Sequence, residues 1–381
     1  MPARLPDVEL PGDAELDEMA RRVLDAAFGD RPDRTAHYAE DGAWVYRPID
    51  EASRWIGDDY DHGNWTSGFW AGALIELDRL GCRTEGLVER ARELTGRLAC
   101  RADDRGTHDL GFIFWPSAAL VATLYGDATA AGQALRAAGR LAERQVSPSG
   151  HLQAFGQVGE DRSRPTSTID TMMNLPLLLW AGRHTGDPSW TDVARRHADR
   201  TAHSLLRPDG STYHLARIAD DGTPTWQGTF QGADDASCWT RGQAWAISGY
   251  LIMAAETGEP RYADLACRLL DYYCARHDLT GPTPYDLLRD TGLTDSSAAA
   301  IVGYGLARVL RDAPDLAERA QAAARLPVLL RALREHALLD DAIGLLAHAC
   351  YSAPHRRGVN GPLPYGDYYY LATLSLLTEA H

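Results

Sequence analysis

The sequence predicts an all-α protein, a closed (α/α)6 barrel of six inner and six outer helices. Two kinds of helical pattern alternate along its 381 residues: one has an apolar and a charged face, and the other is apolar nearly all round. Six segments of each kind match the closed barrel, with an open helical solenoid as the alternative. No linker rich in Pro, Gly and Ser divides the chain, so we expect residues 1–381 to form a single domain.

The outer helices are predicted from the spacing of one buried face. In 84–101, apolar residues such as Leu87 and Leu94 recur at that spacing, and charged side chains occupy the opposite face. Pro327 is expected to break the last outer helix into two pieces, because proline removes a helix hydrogen bond. The other segments of this kind are 13–28, 128–146, 188–206, 260–277 and 315–337.

The inner helices are rich in Gly and Ala and have no polar face, so they must be buried on all sides. A β-hairpin is predicted between the third and fourth of them, with strands at 211–218 and 223–231 joined at Asp220-Asp221-Gly222. We expect this insertion to help form a site. The inner segments are 66–80, 111–125, 169–182, 240–256, 295–310 and 366–378.

The composition argues against several classes of partner. The chain has 38 Lys and Arg against 53 Asp and Glu, and a net charge of −15 disfavours nucleic acid and anionic membranes. Its six cysteines form no CxxC pair and are expected to be buried free thiols in a reducing cytosol. We see no signal peptide and no apolar run near the ~20 residues of a membrane span. We therefore expect a cytoplasmic monomer or small homo-oligomer.

Common cofactor motifs are absent from the sequence. There is no GxGxxG after a strand, no GxxxxGK[ST], no HExxH and no GxSxG. The 13 histidines do not fall at the spacing of metal ligands. We therefore expect neither a metal nor another cofactor.

Polar and aromatic residues gather where the inner helices begin. All inner helices of such a barrel point the same way, so their N-termini share one end, where helix dipoles favour an anion. Capping is the alternative role for the acidic and hydroxyl residues, above all for Asp295 and Ser296. The residues at these starts are Asn64-Trp65, His108-Asp109, Asp170, Trp239-Thr240-Arg241, Asp295-Ser296 and Tyr365-Gly366-Asp367.

Asp109 and Asp170 are candidates for acid–base chemistry because each has a polar residue nearby. His108 adjoins Asp109, and Asn174 lies one helical turn from Asp170. Ten tryptophans against six phenylalanines are a second signal, and most are expected in the core. The tryptophans nearest the helix starts are suited to stack on sugar rings. Paired carboxylates beside aromatic rings point to a carbohydrate site.

Seven strings in a fixed order carry a family resemblance. They closely resemble the unsaturated glucuronyl hydrolases, glycoside hydrolase family 88, from about residue 60 to 378. The sister family of unsaturated rhamnogalacturonyl hydrolases matches them less well. The strings are NWTSGFW at 64–70, HDLGF at 108–112, IDTMMNLP at 169–176, DGSTYH at 209–214, SCWTRGQAW at 237–245, DSSAAA at 295–300 and YGDYY at 365–369.

The resemblance implies an (α/α)6 barrel and a particular reaction. The substrate would be an oligosaccharide left by a polysaccharide lyase, with a C4=C5 double bond in its non-reducing uronic acid. A proton goes to C4 and water adds at C5, and the resulting hemiketal opens and releases the remaining sugar. One carboxyl group can give and then take the proton if its pKa is raised by burial or by a second carboxylate.

The resemblance also assigns the acid–base residues. It implies that Asp170 is the general acid and base, and burial beside an apolar helix is expected to raise the pKa of its carboxyl group. Asp109 would be the second catalytic aspartate, contacting ring hydroxyls and holding Asp170 partly protonated. His108 and Tyr365 would contact the substrate directly.

Further substrate-binding roles follow from the same resemblance. His214 and Gln231 resemble residues that approach the water and the uronate. Arg241 resembles an arginine that binds a carboxylate or organises the site, with a structural salt bridge as the alternative. Trp65 and Trp245 resemble stacking walls.

Two positions depart from the family pattern. Members often have His before Gln231, where this chain has Phe230, and Trp near position 155, where it has Phe155. Both changes are expected to alter the subsite for the leaving sugar and to leave the acid–base pair intact.

Other functions stay open. One alternative is another (α/α)6 carbohydrate enzyme, such as an unsaturated rhamnogalacturonyl hydrolase, a sugar epimerase or an inverting glycosidase. An epimerase usually has several histidines at the inner-helix starts, whereas here His108 and His214 alone are expected near the site. The other alternative is a non-catalytic sugar-binding barrel, which the presence of both aspartates disfavours.

Overall fold

The helices of the protein alternate between an outer and an inner ring. The structure, a computed structural model, describes residues 8–28, 65–313, 316, 319–338 and 344–378; Asn64, one of the residues named above, lies outside them. In chain order the helices are α1 (Asp13–Phe28), α2 (Gly68–Arg79), α3 (Leu87–Arg97), α4 (Leu110–Phe114), α5 (Leu120–Tyr125), α6 (Ala128–Glu143), α7 (Leu175–Thr185), α8 (Ser189–Ser204), α9 (Thr240–Thr257), α10 (Pro260–Arg276), α11 (Ser296–Asp312), α12 (Arg319–His336) and α13 (Pro364–Thr378).

The inner helices form a closed ring, which confirms the predicted barrel and excludes the open solenoid. Helix α2 contacts α4, α4 contacts α7, α7 contacts α9, α9 contacts α11, α11 contacts α13, and α13 returns to α2. Burial follows the sequence pattern that predicted it. Every residue of α9 from Thr240 to Ala254 is buried, whereas amphipathic α3 buries Leu87, Ala91, Leu94 and Thr95 along one side.

Three local departures from regular helix have identifiable causes. The second inner helix is divided, because a π-helical turn, Trp115–Ala119, separates α4 from α5 around Pro116. The third inner helix begins later than predicted, since Ile169–Met173 forms a 3-10 turn that carries Asp170. The predicted break at Pro327 is wrong, because Pro327 lies inside the single helix α12. This helix belongs to the outer ring, where the loss of one backbone hydrogen bond is tolerated.

The predicted hairpin is part of a larger sheet. Strands β1 (Thr166–Thr168), β2 (Leu215–Ile218) and β3 (Pro224–Gly228) pair antiparallel in that order, so a strand before the third inner helix joins the hairpin. A second hairpin, β4 (Ala349–Ser352) and β5 (Arg357–Gly361), was not predicted. Because β1 leads directly into the 3-10 turn, the sheet fixes the position of Asp170.

Two expectations from composition have mixed outcomes. All six cysteines are free thiols, as predicted, but Cys238 and Cys350 alone are buried, and Cys100 is exposed. Within the part of the chain that the structure describes, no helix combines the length and the apolarity that crossing a bilayer requires.

Glycine lets the inner helices approach closely. A Cβ atom at Gly305 of α11 would lie 2.8 Å from the Cα atom and 2.6 Å from the hydroxyl oxygen of Ser248 on α9. At Gly111 of α4 it would lie 2.3 Å from the Cα atom of Asn174. Contacts this short leave no room for a methyl group, so the close approach of the inner helices requires glycine at these positions.

Gly305→Ala should therefore destabilise the fold. The added methyl group must push α11 away from α9, and overpacking of this kind costs about 1–3 kcal/mol. Gly139→Ala on the outer helix α6 is the matched control, because nothing lies within 4 Å of the added atom. Alanine should stabilise that helix by roughly 0.5–1 kcal/mol. Chemical denaturation of both variants measures the free energies, and equal stability of the two would contradict the packing account.

Candidate active site

Three ionisable side chains meet where the second and third inner helices begin. Nε2 of His108 lies 3.2 Å from Oδ1 of Asp109 and 3.3 Å from Oδ2 of Asp170. The other ring nitrogen, Nδ1, lies 2.5 Å from the carbonyl oxygen of Ala154. The remaining oxygen of Asp109 accepts a hydrogen bond from the Thr107 hydroxyl group at 2.9 Å. We call His108, Asp109 and Asp170 the acidic triad.

The geometry of the acidic triad requires a proton on each side of the imidazole. A carbonyl oxygen can only accept, so Nδ1 of His108 carries a proton that it donates to Ala154. On the other side, Nε2 faces two carboxyl groups, and a bare lone pair there would repel two carboxylates. Either Nε2 is protonated or one carboxyl group is. Both arrangements hold the same shared proton and the same net charge of −1.

The directions of the pKa shifts favour that proton on His108. Burial lowers the pKa of His108, but the Asp109 and Asp170 carboxylates outweigh burial and raise it to about 9. Burial, and then the charge of Asp170, raise the pKa of Asp109. Burial also opposes ionisation of Asp170, yet its hydrogen bond to His108 holds its pKa below the ordinary range. The pKa of Asp170 is therefore lowered and not raised as expected, because the imidazolium of His108 lies beside it.

His214 approaches the acidic triad from the sheet as a neutral imidazole. Its Nδ1 accepts hydrogen bonds from the backbone N–H groups of Phe230 and Gln231, at 3.1 and 3.2 Å. The proton must then lie on Nε2, because an acceptor nitrogen carries none. Burial lowers the pKa of His214 to about 4, although the charge of Asp170 opposes that shift. The backbone of His214 also accepts from Ile169 at 2.9 Å, which ties it to the turn carrying Asp170.

Gln231 joins the loop between β3 and α9 to the hairpin β4–β5. Its side-chain N–H group donates to the carbonyl oxygen of Tyr351 at 2.8 Å. The Tyr285 hydroxyl group donates to the backbone carbonyl of Gln231 and accepts from the N–H group of Ala353 at 3.0 Å. One phenol therefore fixes the loop and the hairpin relative to each other.

Arg241 is held by structural contacts. Its guanidinium group is 1% exposed, forms an ion pair with buried Asp295, and donates to the carbonyl oxygens of Cys350 and Tyr351. It also lies 4.4 Å from the ring centre of Trp239. These contacts favour the alternative of a structural salt bridge, in which Arg241 organises the site by anchoring the hairpin.

An aromatic cluster lies beside Arg241. The Trp65 ring stacks on Tyr365 at 5.0 Å and donates its N–H group to the Tyr351 hydroxyl group at 3.3 Å. Phe112 connects Trp65 to Trp245, with ring centres 5.0 and 5.1 Å away. Trp65 keeps part of its surface exposed, but Trp245 is 1% exposed. Trp65 is therefore placed to stack on a sugar ring, whereas Trp245 is buried and supports the aromatic cluster.

The helix-start residues do not act as ordinary caps. The side chains of Asp109 and Asp295 make no capping hydrogen bond to their own helices. Ser296 donates to the carbonyl oxygen of Ala347, and Asp367 accepts from the N–H groups of Leu345 and Leu346. The capping expected for Asp295 and Ser296 is therefore wrong, since these groups tie loops to the barrel.

Several buried polar atoms around the site have no partner among the described residues. They are Oδ1 of Asp170, Nε1 of Trp239, the Tyr365 hydroxyl group and Nδ2 of Asn174. Each such atom costs about 1–3 kcal/mol when left unpaired. These four atoms give a polar ligand at this end of the barrel groups with which it can form hydrogen bonds.

Two exposed phenylalanines flank the site. Phe155 is 42% and Phe230 is 57% exposed, although both are large and apolar. Phe155 follows Ala154, which binds His108, and the backbone of Phe230 binds His214. The Phe230 ring also lies 4.6 Å from the ring of His355 on the β4–β5 turn. Each exposed ring is therefore attached to a backbone segment that holds a histidine of the site.

All nine predicted site residues lie in one connected group, but important partners were missed. Arg144 donates to the carbonyl oxygens of Gln153, Ala154, Phe155 and Gly156 and so shapes the loop that orients His108. Tyr285 and Tyr351 connect the loop to the hairpin. No spacing rule marks these residues, because their contacts join distant segments through backbone carbonyls.

The chain is similar to proteins of known activity. Residues 128–378 match the family model described as Glycosyl Hydrolase Family 88. The chain is 34% identical over 328 residues to the unsaturated glucuronyl hydrolase of Bacillus sp. (strain GL1), covering 82% of this chain and 86% of that protein. It is 30% identical over 325 residues to the unsaturated chondroitin disaccharide hydrolase of Streptococcus pneumoniae (strain ATCC BAA-255 / R6), covering 82% of each.

Solved structures extend the similarity to nearly the whole chain. The unsaturated glucuronyl hydrolase from Bacillus sp. GL1 has a TM-score of 0.80 and 28% identity, covering 95% of this chain and 96% of that one. A UGL variant with dGlcA-Glc-Rha-Glc has a TM-score of 0.80 and 29% identity, covering 95% of this chain and 94% of that one.

Arg241→Met should destabilise the protein strongly. The change leaves the Asp295 carboxylate buried without its cation, which costs about 3–5 kcal/mol. Adding Asp295→Asn should recover part of that loss, because no buried charge then remains. Arg289→Met is the matched control, since its pair with Asp234 is exposed and contributes roughly 0–1 kcal/mol. Thermal and chemical denaturation test this, and a loss no larger than the control would exclude the structural role.

His108 should titrate well above an ordinary histidine. We expect its pKa near 9, against an ordinary value of 6.5. The attraction between the imidazolium and the two carboxylates therefore stabilises the fold fully below about pH 6.5, and this stabilisation is lost as the pH rises through about 9. Asp109→Asn should lower this pKa, because it removes the largest influence that raises it. NMR of ¹⁵N-histidine-labelled protein measures both values. A His108 pKa at or below 6.5 in the unmodified protein would refute the placement of the shared proton on His108.

Proposed function

The chain belongs to glycosyl hydrolase family 88 and is a glycoside hydrolase, and we propose that it removes the 4,5-unsaturated uronic acid from the non-reducing end of polysaccharide-lyase products. The observation that carries this proposal is the acidic triad, which holds one proton between an imidazole and two carboxyl groups. Hydration of a vinyl ether needs a proton donor and a proton acceptor at the same carbon–carbon bond.

The acidic triad can supply the proton although the pKa of Asp170 lies below its ordinary range. When the uronate enters and excludes water, the ion pair of His108 and Asp170 loses solvation. Loss of solvation favours a neutral imidazole beside a neutral carboxylic acid, so the proton moves from Nε2 across 3.3 Å to Asp170. Asp170 is then an acid, and the Nδ1 hydrogen bond to Ala154 keeps the imidazole in place.

The reaction proceeds in two stages at Asp170. The carboxylic acid protonates C4, the C4=C5 π bond breaks, and positive charge develops at C5 and the ring oxygen. The resulting carboxylate takes a proton from water as the oxygen of that water bonds to C5. The hemiketal opens to a ketone at C5, and the hemiacetal left at C1 releases the remaining sugar.

The other site residues bind and orient the substrate. We assign Asp109 to the ring hydroxyls, because its carboxyl group is 19% exposed and reaches the site beside Asp170. Trp65 stacks on the sugar, while His214 and Gln231 approach the uronate from the β3–α9 loop. Tyr365 and Trp245 lie behind Trp65 in the aromatic cluster. Arg241, which holds the hairpin β4–β5 in place, contributes positive charge.

Charge complementarity supports a uronate as the ligand of this end of the barrel. Arg144 is buried beside the triad, where it binds the carbonyl oxygen of Ala154, and Arg241 is buried beside Trp239 and Tyr365. Trp239 and Tyr365 each carry a hydrogen-bond donor without a partner among the described residues. A uronate carboxylate can accept from such donors beside a positive charge, which favours it over the substrates of epimerases and glycosidases of saturated neutral sugars.

The exposed phenylalanines bear on the leaving sugar. Phe155 and Phe230 offer apolar faces and no side-chain hydrogen bonds, so they match the C–H face of a sugar ring. We therefore assign them to the subsite beyond the uronate. The relatives named for glucuronyl and chondroitin substrates make glycosaminoglycan-type disaccharides the first compounds to test.

Asp170→Asn should abolish turnover while substrate still binds. The amide cannot give and take the proton, and general acid–base catalysis is worth ~10²–10⁴-fold. The measurement is loss of the ultraviolet absorbance of the conjugated double bond with chondroitin-, hyaluronan-, heparin- and gellan-type lyase products. Binding is followed separately by calorimetry.

The matched control for this experiment is Asp220→Asn. Asp220 lies in the exposed β2–β3 turn, 68% exposed, and should retain full activity. Turnover by Asp170→Asn within tenfold of the unmodified enzyme would remove Asp170 from the acid–base role. Absence of turnover of every lyase product by the unmodified enzyme would refute the proposed function itself.

A further inference from the structure

The acidic triad has the spacing of metal ligands as well as of a proton relay. One ligand atom from each of its three side chains lies within 4.8 Å of the others. Zinc binds imidazole nitrogen and carboxylate oxygen at ~2.0–2.2 Å, so two tetrahedral ligands lie about 3.3 Å apart. Nε2 of His108 lies 3.2 and 3.3 Å from the two carboxylate oxygens. These two separations are those expected of ligands that share one cation.

The surroundings orient these atoms as they do at metal sites. The ring nitrogen of His108 that faces away donates to the Ala154 carbonyl oxygen, an arrangement typical of a metal-binding histidine, and it directs Nε2 inward. The Thr107 hydroxyl group holds the other oxygen of Asp109 at 2.9 Å. The Oδ1 atom of Asp170 is buried without a partner among the described residues, so that carboxylate is not saturated by the protein.

A cation can reach the triad and would be electrically compensated there. The side chains of Asp109 and Asp170 keep 19% and 21% of their surface exposed. Arg144, a buried cation beside the triad, donates its N–H groups to backbone carbonyl oxygens and forms no hydrogen bond with the carboxylate of Asp109 or Asp170. His214 faces Asp170 as a neutral imidazole. Two carboxylates and one divalent cation sum to zero, and water from the open side can complete a tetrahedron.

We propose that the acidic triad binds one zinc-type divalent cation and that this ion inhibits the enzyme. The ion bonds to Nε2 of His108 and to one oxygen of each aspartate. Imidazole and carboxylate together select Zn²⁺ over Mg²⁺ and Ca²⁺, which prefer sites with oxygen ligands alone. The inhibition rests on the proposed function, whereas the binding does not.

Calorimetry with ZnCl₂ tests the binding without any substrate. We expect one zinc per chain. MgCl₂ at the same concentration should give no binding. Asp170→Asn and Asp109→Asn, each checked for an unchanged thermal transition, should weaken zinc binding at least tenfold.

The matched control is His184→Gln, which removes an exposed histidine in the last turn of α7, at the opposite end of that helix from Asp170, and should bind zinc unchanged. Unchanged zinc affinity in both aspartate variants would overturn the proposal, as would the absence of zinc binding by the unmodified protein. Weakened binding in His184→Gln alone would assign the ion to the surface and also overturn it.

Inhibition is measured in a separate assay on whichever lyase product is turned over. Zinc should inhibit competitively with substrate, and a chelator should restore the full rate. Zinc that binds at the triad but leaves turnover unaffected would overturn the inhibitory half of the proposal. Failure of every substrate would refute the proposed function and leave the calorimetric result standing, so the two failures are distinguishable.

Discussion

The hydrogen bond from Nδ1 of His108 to the carbonyl oxygen of Ala154 determines what the rest of the site can do. It commits the imidazole to one tautomer and turns Nε2 toward two carboxyl groups. The carbonyl that accepts it also accepts from Arg144, and the N–H group of Ala154 donates to Thr166 at 2.9 Å. The proton relay therefore depends on an outer-layer arginine and on strand β1, neither of which touches the reacting atoms.

The same constraint explains why two aspartates of similar chemistry differ. Asp109 adjoins His108 in the chain and meets it through Oδ1, while Thr107 holds its other oxygen. Asp170 comes from the 3-10 turn after β1 and leaves Oδ1 without a partner among the described residues. Asp109 is thus held on both oxygens and suited to bind, whereas Asp170 is suited to exchange a proton. The distinction lies in their partners, since both are nearly equally exposed.

Much of the fold could be predicted from sequence because burial has a clear pattern. Helices without a polar face, such as Thr240–Thr257, must lie inside, and six of them close a ring. The grouping of Asp109, Asp170 and His214 also followed from helix direction and the resemblance. What could not be predicted depends on contacts between distant backbone segments: the hairpin Ala349–Gly361 and the direction of the Asp170 pKa shift.

Arg241 and Trp245 show the same limit. Sequence placed both at the site by their position in one string, and the structure does bring them there. Their side chains are nevertheless buried, one in an ion pair and the other behind an aromatic cluster. A residue at the start of an inner helix can thus serve the substrate directly or hold the loops that do, and only tertiary contacts separate the two.

The central claim is that the acidic triad shares one proton while Nδ1 carries another, and neutron diffraction of the deuterated protein tests it most directly. We predict a deuteron on Nδ1 pointing at Ala154 and one more between Nε2 and the two carboxyl groups. An Nδ1 without a deuteron, or two bare carboxylates facing a bare Nε2, would contradict the account.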